Sequence, residues 1–349
     1  MIRISAYFLF LLFFISCTPE TIRDTDGIPR KAAVGDISEL IIVGPEHQLS
    51  GIIGDSIKYF FEIPFPNLPQ GEPSFDPRFV FEKSFNDYEK GQANVIYVSV
   101  GDKEQNREGR VTQIKDQYAR GQVIYTIYAP NEKEFFNVFK ENKWAILKDL
   151  NRRAIERSVV QAEYANNQGL SSKVEKKFGL NMAVPDGFYL ASEKENILSF
   201  KRSRETSYRY GDNSVRSHNI IDGLVIYRYD HSTSETFSTE NQVANRNKLL
   251  GPLILSELDM PMKVEGDPRF LPSLEELDLN GIYVSKIRGL WRFDRPLKGG
   301  PFVSISFFHE AENYAITIDA YVFAPKFDKR DYIRELEGIL HSMSLAPTE

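Results

Sequence analysis

The side chains best suited to metal ligation or proton transfer near neutral pH are five histidines: His47, His218, His231, His309 and His341. None falls in HExxH, HxH or another ligand spacing. His309 precedes Glu310 and Glu312 in a turn-like stretch, where a solvated turn is favoured over a metal site. His341 comes late in the last helical pattern, where a cation meets the negative end of the helix dipole. The sequence has no GxSxG nucleophile elbow, no P-loop and no GxGxxG. Gly299-Gly300 is not followed by Lys-Ser or Lys-Thr and reads as a tight connection before a strand. Glu275-Glu276 and Asp76 are carboxylates of a kind common on surfaces. A glycosidase needs two carboxyl groups facing each other across a sugar cleft, which sequence order alone does not show.

The segment Arg288-Gly289-Leu290-Trp291-Arg292-Phe293 is the first candidate for contact with a ligand or partner. Arg288 and Arg292 are four apart, so in a strand they point to one side. Two guanidiniums on one side can grip a carboxylate or phosphate. Trp291 is either a core anchor or an aromatic platform, and the core reading is favoured because aromatic side chains contribute mainly through burial. Arg202, Arg204, Arg209 and Arg216 form a local basic stretch, read as a solvated loop. No residue pattern calls for a catalytic, metal or cofactor assignment.

Cys17 is the single cysteine. Intramolecular disulfides, zinc-thiolate clusters and paired redox cysteines are therefore excluded. Before it, Arg3 supplies a positive charge, Ala6 to Ile15 is an apolar run and Ser16 is small. That order is the layout of a secretory signal peptide. The run is too short to span a bilayer core, which takes about 20 residues as a helix. Phe14-Ile15-Ser16-Cys17 resembles the bacterial lipobox, which implies diacylglycerol on the sulfur and cleavage before it. Each buried acyl methylene contributes about 0.8 kcal/mol, so two or three chains hold firmly. The expectation is a lipid-anchored protein of the cell envelope, at the outer membrane, with the leaflet left open.

These groups must be positioned by about 330 remaining residues, more than one hydrophobic core normally serves. The net charge of −6 is spread along the chain and gives no footprint for nucleic acid. The segmentation expected is a signal peptide over 1–16, a lipidated tether over 17–36, an N-terminal domain over 37–168 and a C-terminal domain over 169–349. Strand patterns fall at Glu39–Gly44, Ala93–Val100 and Gln122–Ala129, with a helix from Ser50 to Glu62. A proline-rich extended connection follows that helix, and Gln105–Ala119 reads as a loop or short helix. Asn131 with Glu134 starts a long helix to about Asn166, with a break near Asn142 considered. The second half predicts a helix over Ser171–Phe178, several hairpins, a helix over Thr239–Leu250, and strands at Gly281–Phe293, Pro301–His309 and Asn313–Phe323. An amphipathic helix over Lys329–Met343 closes the chain. The class is α+β in two domains, each a mostly antiparallel sheet with helices packed on one face.

Lys177-Phe178-Gly179-Leu180, Pro185-Asp186-Gly187-Phe188, Arg288-Gly289-Leu290-Trp291, Gly299-Gly300-Pro301-Phe302 and Tyr321-Val322-Phe323-Ala324-Pro325 together resemble a Bacteroidetes lipoprotein family, domain of unknown function 4837. Glu62 to Gln70 fits the same pattern. The resemblance implies an envelope lipoprotein and carries no catalytic residue with it. The element order of the second half is also similar to the PsbP-like sandwich. The functional expectation is a non-catalytic binding or accessory lipoprotein, reaching the membrane through its lipid and open to an envelope protein complex. The alternative is an envelope enzyme of glycan or peptidoglycan hydrolase type, with a site assembled from distant residues.

Overall fold

A computed structural model of the chain describes residues 29–101, 108–230 and 234–346. Cys17, the expected signal peptide and most of the expected tether lie outside the described residues.

The N-terminal unit opens with β1 (Glu39–Gly44), whose residues 40–43 are fully buried. Such an unbroken apolar run is what a strand covered on both faces needs. Then come α1 (Glu46–Leu49), α2 (Ile52–Phe61), β2 (Asp76–Phe81), α3 (Asp87–Lys90), β3 (Asn94–Val100), β4 (Arg110–Lys115), β5 (Val123–Ala129) and α4 (Glu132–Tyr164). The sheet order is β2-β1-β3-β5-β4. β1 is parallel to β2 and β3, β3 is parallel to β5, and β4 alone is antiparallel to its neighbour. The α+β, two-domain class holds, with antiparallel pairing dominant over the molecule, but this sheet departs from it. The cause is connectivity: α2 and the proline-rich stretch after it carry the chain back, so β2 starts beside the start of β1, as a parallel crossover requires. α2 and α4 cover one face through Ile53, Ile57, Phe61, Phe135, Phe139 and Leu150.

Two local expectations change here. Residues 31–34, placed in the tether by sequence, join the domain: Ala33 N–H donates to Arg120 O at 2.8 Å and Val34 N–H to Gly91 O at 2.9 Å. α4, 33 residues long, runs unbroken through Asn142. Its start is the capped one expected, with Glu134 N–H donating to Asn131 Oδ1 at 3.0 Å.

The C-terminal unit runs α5 (Gln168–Phe178), β6 (Leu180–Asn181), β7 (Tyr189–Lys194), β8 (Ile197–Arg209), β9 (Val215–Asp230), α6 (Thr239–Leu250), β10 (Lys263–Val264), β11 (Ser273–Leu279), β12 (Ile282–Phe293), β13 (Lys298–His309), β14 (Tyr314–Phe323), α7 (Arg330–His341) and β15 (Ser344–Leu345). Gly179 ends α5 in the left-handed conformation, φ 64°, where glycine carries no Cβ penalty. One antiparallel sheet is ordered β10-β12-β13-β14-β9-β8-β7, with β11 also on β12. α5 and α7 pack on one face, through Val174, Phe178, Ile333, Leu336, Ile339 and Leu340. α6 packs on the other, beside Trp291, Phe293, Phe302 and Tyr321. Helices on both faces correct the one-face expectation for this half. The alternation on β12 and β13 explains it, because each side of the pair carries buried apolar residues that need a cover, Val284, Val303 and Ile305 on one and Ile287, Trp291 and Phe302 on the other.

β8 and β9 form a ribbon reaching Arg209 and Val215. Arg202, Arg204, Arg209 and Arg216 therefore lie on strands rather than in a solvated loop. Arg202 pairs with Asp222 at 2.8 Å and Glu335 at 2.7 Å, and Arg204 binds the same two carboxylates. No helix among the described residues is long and apolar enough to cross a membrane.

Candidate functional site

α7 organises the region between the two units. Its apolar residues enter the C-terminal core, as its amphipathic pattern requires. Its charged residues Arg330, Arg334, Glu337 and His341 recur every three or four positions, so they form one stripe on another face. That stripe is not solvated. Arg330, Arg334 and Glu337 are all buried, against the N-terminal unit and β12. Arg330 pairs with Asp76 at 2.7 Å. Arg334 donates to Ser38 Oγ, to Ser74 O at 2.9 Å and to Asn151 Oδ1 of α4 at 2.6 Å. At its N-terminus, Glu72 Oε2 accepts from the backbone N–H of Lys329 and of Arg330 at 2.7 Å each. At the crossing of α7 with α4, a Cβ on Gly338 would stand 2.3 Å from Ser158 Cβ, so only glycine allows this approach.

Beside this crossing the units leave a cleft of about 710 Å³. One wall is α4, presenting Trp144, Ala145, Leu147 and Ile155 between Lys148, Asp149, Asn151 and Arg152. Phe65 and Pro66 close one end. The opposite wall is Glu275 and Leu277 of β11, Lys286 and Arg288 of β12, and Arg334, Glu337 and His341 of α7. The volume lies within the roughly 300–1,000 Å³ typical of small-molecule sites.

The charged floor is ordered around Glu337. Lys286 Nζ lies 2.8 Å from one of its oxygens, and Arg288 Nη2 donates to the other. Lys286 also reaches Glu275 at 2.7 Å. His341 Nε2 is 3.6 Å from Glu337, longer than a hydrogen bond. Burial alone would raise the Glu337 pKa, but Arg288 and Lys286 hold it well below the ordinary carboxylate range. Burial lowers the Arg334 pKa to about 9, and repulsion from Arg330 and Arg288 adds to this. On α4, burial again works to raise Asp149, yet hydrogen bonds from Tyr125, Arg153 and Arg152 bring it down to about 2.

Of the residues singled out in sequence, Arg288, Glu275 and His341 line this cleft, and of the three proposed contact residues, Arg288, Trp291 and Arg292, Arg288 alone does. Arg292 points to the same side of β12, as alternation demands, but lies roughly 13 Å further along the strand. It pairs with Asp294 at 2.6 Å and lines a separate depression with Lys263 and Asp267. The two guanidiniums therefore do not meet over one anion. Trp291 lies on the opposite face, 3% exposed, donating Nε1–H to Val322 O at 3.2 Å. It is a core anchor, and its ring is not a platform. His309 is buried against Tyr314, with ring centroids 5.7 Å apart. Among the described residues, no group of three His, Cys, Asp or Glu side chains is placed to hold a metal ion. Lys286, Arg334 and Glu337 were missed in sequence, although the spacing of Arg330, Arg334, Glu337 and His341 carried a signal for the last two.

The geometry defines a two-domain α+β protein with a cleft at the domain junction. The family described as Domain of unknown function (DUF4837) matches residues 167–342, and the chain belongs to that family. A second domain of unknown function, DUF8532, matches residues 33–163. Among solved structures, the chain is similar to a point mutant of protein Mog1, at 12% identity over 49% of this chain and 92% of that one, with a TM-score of 0.30. It is also similar to the Ran-binding protein Mog1p of Saccharomyces cerevisiae, at 11% identity over 48% and 90%, with a TM-score of 0.30. A protein of unknown function from Pseudomonas aeruginosa, described as a putative regulator, matches at 14% identity over 41% and 99%, with a TM-score of 0.24. No curated protein matches.

Proposed function

We propose that this chain is a lipid-anchored, non-catalytic binding protein of the bacterial cell envelope, and that the interdomain cleft is its binding site. The observation that carries the reading is the cleft itself, with an apolar strip along α4 and charged side chains along β12 and α7. The anchor rests on the lipobox-like Phe14-Ile15-Ser16-Cys17. Binding is favoured over glycan hydrolysis by the state of the cleft carboxyls. A glycosidase needs one carboxyl held protonated as general acid. Glu337 and Asp149 are both pushed the other way, below the ordinary carboxylate range.

Two measurements test the proposal. Membrane fractionation compares the wild type with Cys17→Ser, and only the wild type should sediment with membranes. Native mass spectrometry of the released full chain should show a non-covalent mass that Ala145→Phe lacks, since Ala145 is exposed and lines the cleft. Equal sedimentation of the two chains overturns the anchor. A bound mass unaffected at position 145, or none, overturns the cleft as the site.

A further inference from the structure

The floor of the cleft is short of negative charge. Lys148, Arg152, Lys286, Arg288 and Arg334 line the cleft, against Asp149, buried Glu337 and, at the rim, Glu275 with a 63% exposed side chain. Arg334 spends its hydrogen bonds on three neutral acceptors, Ser38 Oγ, Ser74 O and Asn151 Oδ1. Arg288 uses Nη2 on Glu337, and its buried Nε has no partner. Both guanidiniums lie over the one ring of Phe65, at 5.3 Å and 4.9 Å from its centroid. The two guanidiniums repel each other, and an anion brought between them and the solvent relieves that repulsion. Arg288 keeps a 16% exposed side chain, so it can be reached from the cleft.

The opposite wall asks for something different. Trp144 is 60% exposed, an unusual position for so large an apolar ring, and Leu147, Ile155 and Leu277 continue its surface across the cleft. A ligand that satisfies both walls has one anionic head and an apolar body.

We infer that the cleft takes a small amphipathic anion, a carboxylate or phosphate head on a medium-length alkyl or aryl body, with the head at Arg288 and the body along Trp144. The inference rests on the cleft being the binding site. Charge complementarity selects the head, because an Arg fork donates two parallel N–H groups to either oxyanion. A neutral amphiphile leaves the cationic floor uncompensated, and an ammonium head adds to it.

The test is calorimetric titration of the full chain with four probes sharing one tail: octanoate, octyl phosphate, octanol and octylammonium. Octanoate or octyl phosphate should bind with one-to-one stoichiometry, and the tighter of the two identifies the head. Octanol and octylammonium should bind at least about tenfold more weakly, the margin expected for losing a charge-assisted pair. Arg288→Gln should weaken the anionic probe by about tenfold or more, and Ala145→Phe should remove binding. If Arg288→Gln misfolds, as seen by circular dichroism, the head series with Ala145→Phe still decides. Equal affinity across the four heads, lost on Ala145→Phe, overturns the ligand class and leaves the cleft reading standing. Absence of binding by every probe, with a native mass still carried by the wild type, does the same. Absence of both removes the class and the cleft together.

Discussion

The carboxylate of Glu72, in the N-terminal unit, lies 2.7 Å from the backbone nitrogen of Arg330, at the start of α7 in the C-terminal unit. One residue earlier, Lys329 N–H reaches the same oxygen. A helix start leaves its first N–H groups without partners inside the helix, and here another domain supplies the acceptor. The junction is thus closed by backbone as well as side-chain hydrogen bonds.

Removal of that acceptor should be costly. Glu72→Ala leaves two N–H groups in a buried site without a partner, and stability should fall by about 1–3 kcal/mol in urea denaturation. Glu72→Gln keeps an oxygen in place and removes a carboxylate whose pKa burial raises, so its cost should stay within about 1 kcal/mol. Equal loss from the two variants would show that charge, and not the acceptor, matters at this helix start.

The acid limb of stability should report the cleft floor. Glu337 is depressed in the folded state below its ordinary value of 4.5. A depressed carboxyl stabilises the fold fully above its unfolded pKa, and that contribution is lost as pH falls through the folded value. Asp149, depressed to about 2, acts with the same sign. Stability should therefore decline as pH drops below the ordinary carboxylate range. Glu337→Gln should flatten that decline and cost about 3–5 kcal/mol at neutral pH, because Lys286 and Arg288 lose their buried counter-ion. A denaturant midpoint series against pH measures both effects.

Gly338→Ala should destabilise by about 1–3 kcal/mol, the usual cost of forcing a methyl group into a packed site. Ser158→Gly should not rescue it, since the Ser158 carbonyl carbon also stands 2.6 Å from the added Cβ. Rescue in the double variant would show that the side chain alone sets the approach of α4 and α7.

The two tryptophans should respond oppositely to a quencher. Trp144 is 60% exposed and Trp291 is 3% exposed. Acrylamide quenching should fall sharply in Trp144→Phe and change little in Trp291→Phe. Trp291→Ala should also cost about 3–5 kcal/mol, as expected for a large core residue.

Periodicity made much of this architecture legible. The Asn131 cap, the last helix and the hairpin of β13 and β14 follow from local patterns that the structure reproduces. β2 and β11 were not legible. Asp76–Phe81 is announced by a proline, and Ser273–Leu279 carries three carboxylates, so neither looks like a strand by composition. Parallel pairing of β1 with β3 depends on crossover geometry that no local window contains. At the site, the Arg288 segment was located, but strand alternation could not say that Trp291 would turn inward. The importance of α7 was hidden by a habit of reading charged helix faces as solvated. Arg334 is 1% exposed, with Ser38, Ser74 and Asn151 of the N-terminal unit taking its hydrogen bonds.

The glycine at the helix crossing bears on inheritance as much as on packing. The two family matches meet between residues 163 and 167, where the chain could in principle be cut and rejoined. A donor half that brings a methyl group to position 338, or a bulkier turn of α4 around position 158, seats less well on its new partner. Halves exchanged between relatives should therefore pair best where they carry matching helix surfaces. The seam that looks separable in sequence is the place where the two halves are fitted most closely to each other.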